Sequence, residues 1–206
     1  KTVEKNAAAE WINWPGHNIL NGISYEPGHP PIFEGQFNSW RGWGVQPKEG
    51  NIAPWHKLLG HIFGKDVTAR RWFEQWLAYP LQHPGAKLFS ATVLWSVAHG
   101  TGKSLIGYTM GRIYGKNFAK IKDKDLGSAF NQWAAERQFI MGEEISGTGD
   151  KRGLAEELKD MISGTIVTVN TKYVPEYDIR DCLNYLFTTN KPDAFYLNRQ
   201  DRRYFI

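Results

Sequence analysis

The chain has 206 residues, 41% hydrophobic and 22% charged, with a formal net charge of +4. That balance suits a soluble globular protein with room for one sizeable core, or a core plus a small appendage. No apolar run reaches the ~18 residues of a membrane span, so no membrane partner is expected. The single cysteine, Cys182, excludes an internal disulfide framework; a free, packed thiol of this kind suits a reducing cytoplasm. The first residue is Lys1 with no initiator Met, so the chain reads as a fragment whose upstream neighbour is not visible.

The first part is rich in aromatic residues. Trp11, Trp14, Trp40, Trp43, Trp55, Trp72 and Trp76 all precede residue 85, and Trp95 and Trp133 follow it. Turn-forming stretches at Glu26–Pro31 and Gln46–Gly50 break this region up. Trp72, Trp76, Leu77 and Tyr79 recur at helical spacing, which predicts a helix over Asp66–Gln82, ended by His83-Pro84-Gly85. Residues 1–85 therefore read as a mainly helical, aromatic-rich region ahead of a core over 86–206.

From residue 86 onward, strands and helices alternate. Strands are expected at Leu88–Val97, Gln138–Met141, Thr165–Val169 and Asn184–Thr189. Helices are expected at Lys103–Tyr114, Leu126–Arg137 and Leu154–Ile162. Such alternation implies a three-layer α/β domain with a largely parallel sheet, whose ligands bind beyond the carboxyl ends of the strands.

One strand-to-helix junction carries a motif. His99-Gly100-Thr101-Gly102-Lys103-Ser104, followed by Leu105, has the form of a phosphate-binding loop (P-loop). Two glycines let backbone N–H groups turn inward on phosphate oxygens, Lys103 neutralises the β and γ phosphates, and the Ser104 hydroxyl ligates Mg²⁺. The position six residues before the lysine, glycine in the usual pattern, is Val97.

Downstream, an apolar strand ends in Glu143 and Glu144, which suits one carboxylate on the metal and one on the attacking water. Glu143 is assigned to the metal and Glu144 to the water. A third strand ends in Asn190, placed to hydrogen-bond the γ-phosphate or the attacking water and so sense the nucleotide state. Arg202 and Arg203 close the chain, where an arginine can reach a neighbouring subunit's nucleotide.

This ordered set resembles the superfamily 3 helicases, and most closely the helicase domain of phage and plasmid primase–helicases, relatives of the poxvirus enzyme. The resemblance runs from about Phe37 to Ile206 and takes in Phe37–Trp43 and Trp76–Gly85. It implies an AAA+-like P-loop ATPase: an ATP- and Mg²⁺-dependent homo-oligomeric ring, usually a hexamer, that translocates on single-stranded DNA in the host cytoplasm. In that family a hairpin between the acidic and polar strands carries a DNA-contacting lysine. The match here is Thr165–Asp181, with Lys172 as the contact and Asn170 and Tyr173 beside it. Of the two arginines, Arg203 better matches the family's trans-acting position. Two other readings suit the same residues: a non-catalytic nucleotide- or DNA-binding module, and a P-loop ring ATPase that remodels partners without unwinding.

Overall fold

The computed structural model describes residues 6–17, 19–147, 151–196 and 201–206. Two compact units divide the chain, residues 1–41 and residues 42–206, rather than at residue 85.

In the first unit, helix α1 (Ala7–Asn13) starts at Asn6, whose side chain accepts hydrogen bonds from Ala8 N and Ala9 N. Strands β1 (Ile23–Ser24), β2 (Ile32–Phe33) and β3 (Gln36–Asn38) form a small sheet in the order β1-β3-β2. The buried Asn38 amide organises the turn between β1 and β2: it accepts from Glu26 N at 2.9 Å and donates to Glu26 O at 2.7 Å. The expectation of a mainly helical region thus fails for this unit. Pro27, Pro30 and Pro31 cannot donate to a helix ladder, and Gly28 sits at φ +87°.

The second unit opens with helices α2 (Ala53–Phe63) and α3 (Val67–Gln82). Pro54 occupies the first turn of α2, where its missing N–H costs nothing. The Asp66 carboxylate caps α3 by accepting from Ala69 N at 2.8 Å. There follow β4 (Ala91–Trp95), α4 (Lys103–Tyr114), β5 (Phe118–Ile121) and β6 (Phe139–Gly142). Then come α5 (Lys151–Ser163), the hairpin strands β7 (Ile166–Thr171) and β8 (Val174–Arg180), β9 (Asn184–Thr189) and β10 (Tyr204–Phe205).

Strands β10-β4-β9-β6-β5, in that order, form one sheet in which every pair is parallel. Both faces are covered, as a parallel sheet requires. Ala91, Val93, Ile140, Tyr185 and Phe187 pack on one face with Leu158 and Ile162 of α5. Leu94, Phe139 and Leu186 point the other way, onto Ile106 and Met110 of α4, Leu59 of α2 and Phe73 of α3. This is the mixed α/β, largely parallel architecture that the alternation implies. At ~25 cal/mol per Å² of apolar surface, each such fully buried side chain contributes on the order of 2 kcal/mol before entropy.

Two elements differ from the sequence pattern. Strand β5 was not expected, and the helix over Leu126–Arg137 is absent. The latter segment is a loop with one 3-10 turn, Gln132–Ala134. Asn131 explains it, because its backbone and amide pair with the edge of β7 instead of with a helix. Its N–H donates to Asn170 O, its Nδ2 to Thr168 O at 2.9 Å, and its Oδ1 accepts from Asn170 N at 2.7 Å.

Beneath the base of the hairpin lies a buried ion pair. Lys87 Nζ donates to Asp181 Oδ2 at 2.6 Å and to Met161 O at 2.8 Å, and it lies 5.0 Å above the Tyr185 ring. Burial pushes the Lys87 ammonium down and the Asp181 carboxyl up, each opposed by the partner's charge. Removing one partner strands the other in the core. Asp181→Ala or Lys87→Met is predicted to cost about 3–5 kcal/mol in urea unfolding. The double variant Lys87→Met/Asp181→Ala should cost clearly less than the sum, whereas additive losses would show the pair to be uncoupled.

Candidate functional site

The carboxyl ends of β4, β9 and β6 lie side by side, and a cavity of about 370 Å³ opens above them. Its floor comes from the segment that leaves β4 and enters α4. Gly100 (φ +71°) and Gly102 (φ +92°) take left-handed backbone conformations there. A Cβ on Gly102 would also lie 2.7 Å from Leu58 Cδ1, which would have to shift, but it is the positive φ that favours glycine there. Gly102 stands at the N-cap of α4 without a side-chain cap, so the first-turn N–H groups of Lys103, Ser104 and Leu105 face the cavity end of the helix dipole. Val97, where a glycine is usual in the motif, is 73% exposed and does not line the cavity.

Lys103 is held almost out of solvent, 9% exposed. Its Nζ donates to Ser96 Oγ at 2.6 Å, to Asn190 Oδ1 at 2.7 Å and to Thr101 Oγ1 at 3.3 Å. Three acceptors therefore meet the three N–H donors of the ammonium. Ser96 Oγ passes its own proton to Ala98 O, which leaves Thr101 as the donor between the two hydroxyls. Burial lowers the Lys103 pKa, and the charge of Glu144 opposes that shift.

Glu144 and Asn190 line the same cavity, together with Thr188 and Thr189 at the end of β9. Thr188 Oγ1 accepts from Glu144 N at 3.2 Å, and Ile145 N donates to Thr188 O at 2.9 Å, so the turn after β6 is stitched to β9. Glu144 itself adopts φ +54°, rare for a residue with a side chain.

Glu143, expected at a metal, does not line the cavity. Its Oε1 accepts from Tyr108 Oη at 2.5 Å and its Oε2 from Lys120 Nζ at 3.0 Å. Partial burial raises the Glu143 carboxyl, but the hydrogen bonds from Tyr108 and Lys120 outweigh it and hold the group below the ordinary carboxylate range.

The remaining expected residues lie elsewhere. Arg203 O accepts from Ala91 N at the first residue of β4, whereas the loop follows the last; the separation is about 16 Å at ~3.3 Å per residue. The Arg203 guanidinium donates to Ser163 Oγ and to Asp201, and Arg202 is exposed. At the hairpin, Lys172 and the 91%-exposed Tyr173 form the two-residue tip, with Lys172 Nζ 4.9 Å from the Tyr173 ring. Asn170 is instead tied along the strand, its Nδ2 donating to Glu176 at 2.7 Å.

Sequence reasoning missed Thr188 and Thr189 as cavity groups and Ser96 as a partner of Lys103. The signal was present, since each is a polar residue at the end of an otherwise apolar strand.

A family model described as a family of unknown function (DUF5906) matches residues 94–203. The chain belongs to the DUF5906 family. The DUF5906 match begins in β4 and ends at Arg203, so it takes in the loop, the acidic turn, the hairpin and Asn190. A curated relative, the DNA primase-polymerase of Nitratiruptor phage NrS-1, is 24% identical over 150 residues, which are 71% of this chain and 21% of that protein. The chain thus spans about a fifth of that relative. Two solved apo structures of the NrS-1 C-terminal region share the fold. They align with TM-scores of 0.79 and 0.77 at 23% and 24% identity, covering 88% of this chain and 46% and 45% of theirs. No helix among the described residues is long and apolar enough to cross a membrane.

The clamp on Glu143 has a pH signature. A carboxyl held low when folded contributes stability above its unfolded pKa and loses it as pH falls through the folded value. Lys120 is raised by its bonds to Glu143 and Tyr108, so its share is present below the unfolded lysine pKa and fades as pH rises through the folded one. Lys120 is 39% exposed, so Glu143→Gln should cost at most about 1 kcal/mol at neutral pH. In unfolding measured against pH, the difference from the unaltered chain should vanish below the carboxylate range. A difference that persists into acid would contradict the clamp.

Proposed function

We propose that this DUF5906 chain is the ATP-hydrolysing motor domain of a phage or mobile-element replication protein, a P-loop ATPase that works as a homo-oligomeric ring on single-stranded DNA. One observation carries the reading: Lys103, at the uncapped N-terminus of α4, meets Glu144 and Asn190 across a single cavity at the carboxyl ends of a parallel sheet. Parallel sheets bind ligands at that edge. A buried cation, inward amides and a carboxylate form a set suited to a triphosphate and the water that attacks it. Similarity to a phage primase-polymerase supports a role in phage DNA replication.

In this reading the N–H groups from Gly100 to Leu105 hold phosphate oxygens, with His99 at the rim of the loop. Lys103 exchanges its hydroxyl and amide partners for the β and γ phosphates. Glu144 accepts a proton from the attacking water, and Asn190 orients that water against the γ-phosphate. Mg²⁺ is proposed as the ion that accompanies the phosphates. When bound it neutralises charge on the phosphate chain. Ser104, at the cavity floor, is the hydroxyl that would hold it, with Glu144 the carboxylate nearest to hand.

Arg203 and Arg202 sit at the opposite end of the sheet from their own cavity, so an arginine role at the phosphates requires a second copy of the chain. Head-to-tail contacts of that kind close into rings. The hairpin tip, Lys172 with Tyr173, is the proposed DNA contact: a cation for the backbone and an exposed ring for a base.

ATP turnover measured with and without single-stranded DNA tests the reading. Lys103→Ala should abolish turnover, a loss of roughly 10²-fold or more, with the fold intact by circular dichroism. Lys172→Ala should leave basal turnover unchanged and remove its stimulation by DNA. Unaltered turnover in Lys103→Ala would refute the assignment. Tight ATP binding without hydrolysis, with or without DNA, would make the chain a non-catalytic module.

A further inference from the structure

The Asn190 amide is held from both ends. Its Oδ1 accepts from Lys103 Nζ at 2.7 Å, and its Nδ2 lies 3.1 Å from His99 Nδ1. An ammonium can only donate, so Oδ1 must face Lys103 and Nδ2 must face the histidine. His99 Nδ1 is then an acceptor, and the ring proton sits on Nε2. No other arrangement satisfies all three groups.

We propose that His99 is a positioning residue that fixes which end of the Asn190 amide points into the cavity. The proposal rests on the reading of the cavity as an ATP site. When a triphosphate draws Lys103 away, Asn190 loses the partner on Oδ1 and keeps the one on Nδ2. The bond to His99 then holds the amide oxygen toward the space shared with Glu144, where it can accept a hydrogen bond from a water whose other proton faces the carboxylate. Without His99 the freed amide rotates, and its NH₂ end can turn inward with no partner to prevent it. The charged groups facing this corner are Lys103 from α4 and Glu144 from the turn after β6, with Lys191 adjacent to Asn190.

A phosphate-binding role for His99 would raise KM; a positioning role acts on kcat. With the full chain, Mg²⁺ and ATP, His99→Ala should lower kcat by roughly tenfold, the scale of one lost hydrogen bond, with KM within about twofold. His99→Gln, whose side-chain oxygen can accept from Nδ2, should restore most of kcat. Asn190→Ala should lower kcat similarly, and adding His99→Ala to it should cost little more. Nitrogen NMR of His99 in the nucleotide-free protein should show an unprotonated Nδ1.

Turnover that needs Lys103 but is indifferent to His99→Ala overturns the role of His99 alone. So does an effect confined to KM, losses that add with those of Asn190→Ala, or a protonated Nδ1. An unaltered chain that turns over no ATP overturns the reading of the site, and this role with it.

Discussion

The parallel alignment of β4, β9 and β6 is the constraint on which the site depends. Because the three strands run the same way with β9 in the middle, their carboxyl ends emerge together, and residues 87 positions apart in sequence, Lys103 and Asn190, share a hydrogen bond. An antiparallel β9 would carry Thr188, Thr189 and Asn190 to the far edge. The sheet holds this alignment through two dry faces: α4 with α2 and α3 on one, α5 on the other. The loop after β4 sits where backbone donors, helix dipole and lysine converge, a place water alone would otherwise have to satisfy.

Polar contacts finish what the sheet begins. Lys103 is parked on three oxygens, which lets a cation stay buried without a bound anion. The turn after β6 is fixed by Thr188 on one side and by the Tyr108–Glu143–Lys120 cluster on the other. Between them Glu144 has little choice of direction. At the opposite edge of the sheet, Lys87 and Asp181 anchor the strand that leaves the hairpin, next to the end of α5 whose Ser163 takes the Arg203 guanidinium. The hairpin and the arginine therefore share one structural neighbourhood, away from the cavity.

Much of this was legible in the sequence. Helix α4 and strand β9 fall at their expected limits, since an apolar run bounded by glycine or polar residues leaves little freedom. The loop and Glu144 were also visible, because polar residues at the end of an apolar strand in an alternating pattern have few other places to go. The failures have physical causes. Leu126 and Ala134 look helical by spacing but are buried from a loop, where Asn131 satisfies the edge of β7. Strand β5 is only four residues long and carries Lys120 in its middle, so its periodicity is invisible. Glu143 continues the alternation of Phe139 and Met141 toward α4, so its direction was open to a period-two reading that the pairing of two adjacent carboxylates at one site overlooked. The orientation of Asn190 by His99 spans 91 positions and needs the fold before it can be seen.

The central claim is that this cavity takes a triphosphate through Lys103. A structure of the chain with Mg²⁺ and a non-hydrolysable ATP analogue tests it most directly. The account predicts phosphate oxygens against the N–H groups from Gly100 to Leu105, with Lys103 Nζ moved from Asn190 to the phosphate chain. A nucleotide bound elsewhere, or one that leaves Lys103 on Ser96 and Asn190, would contradict it.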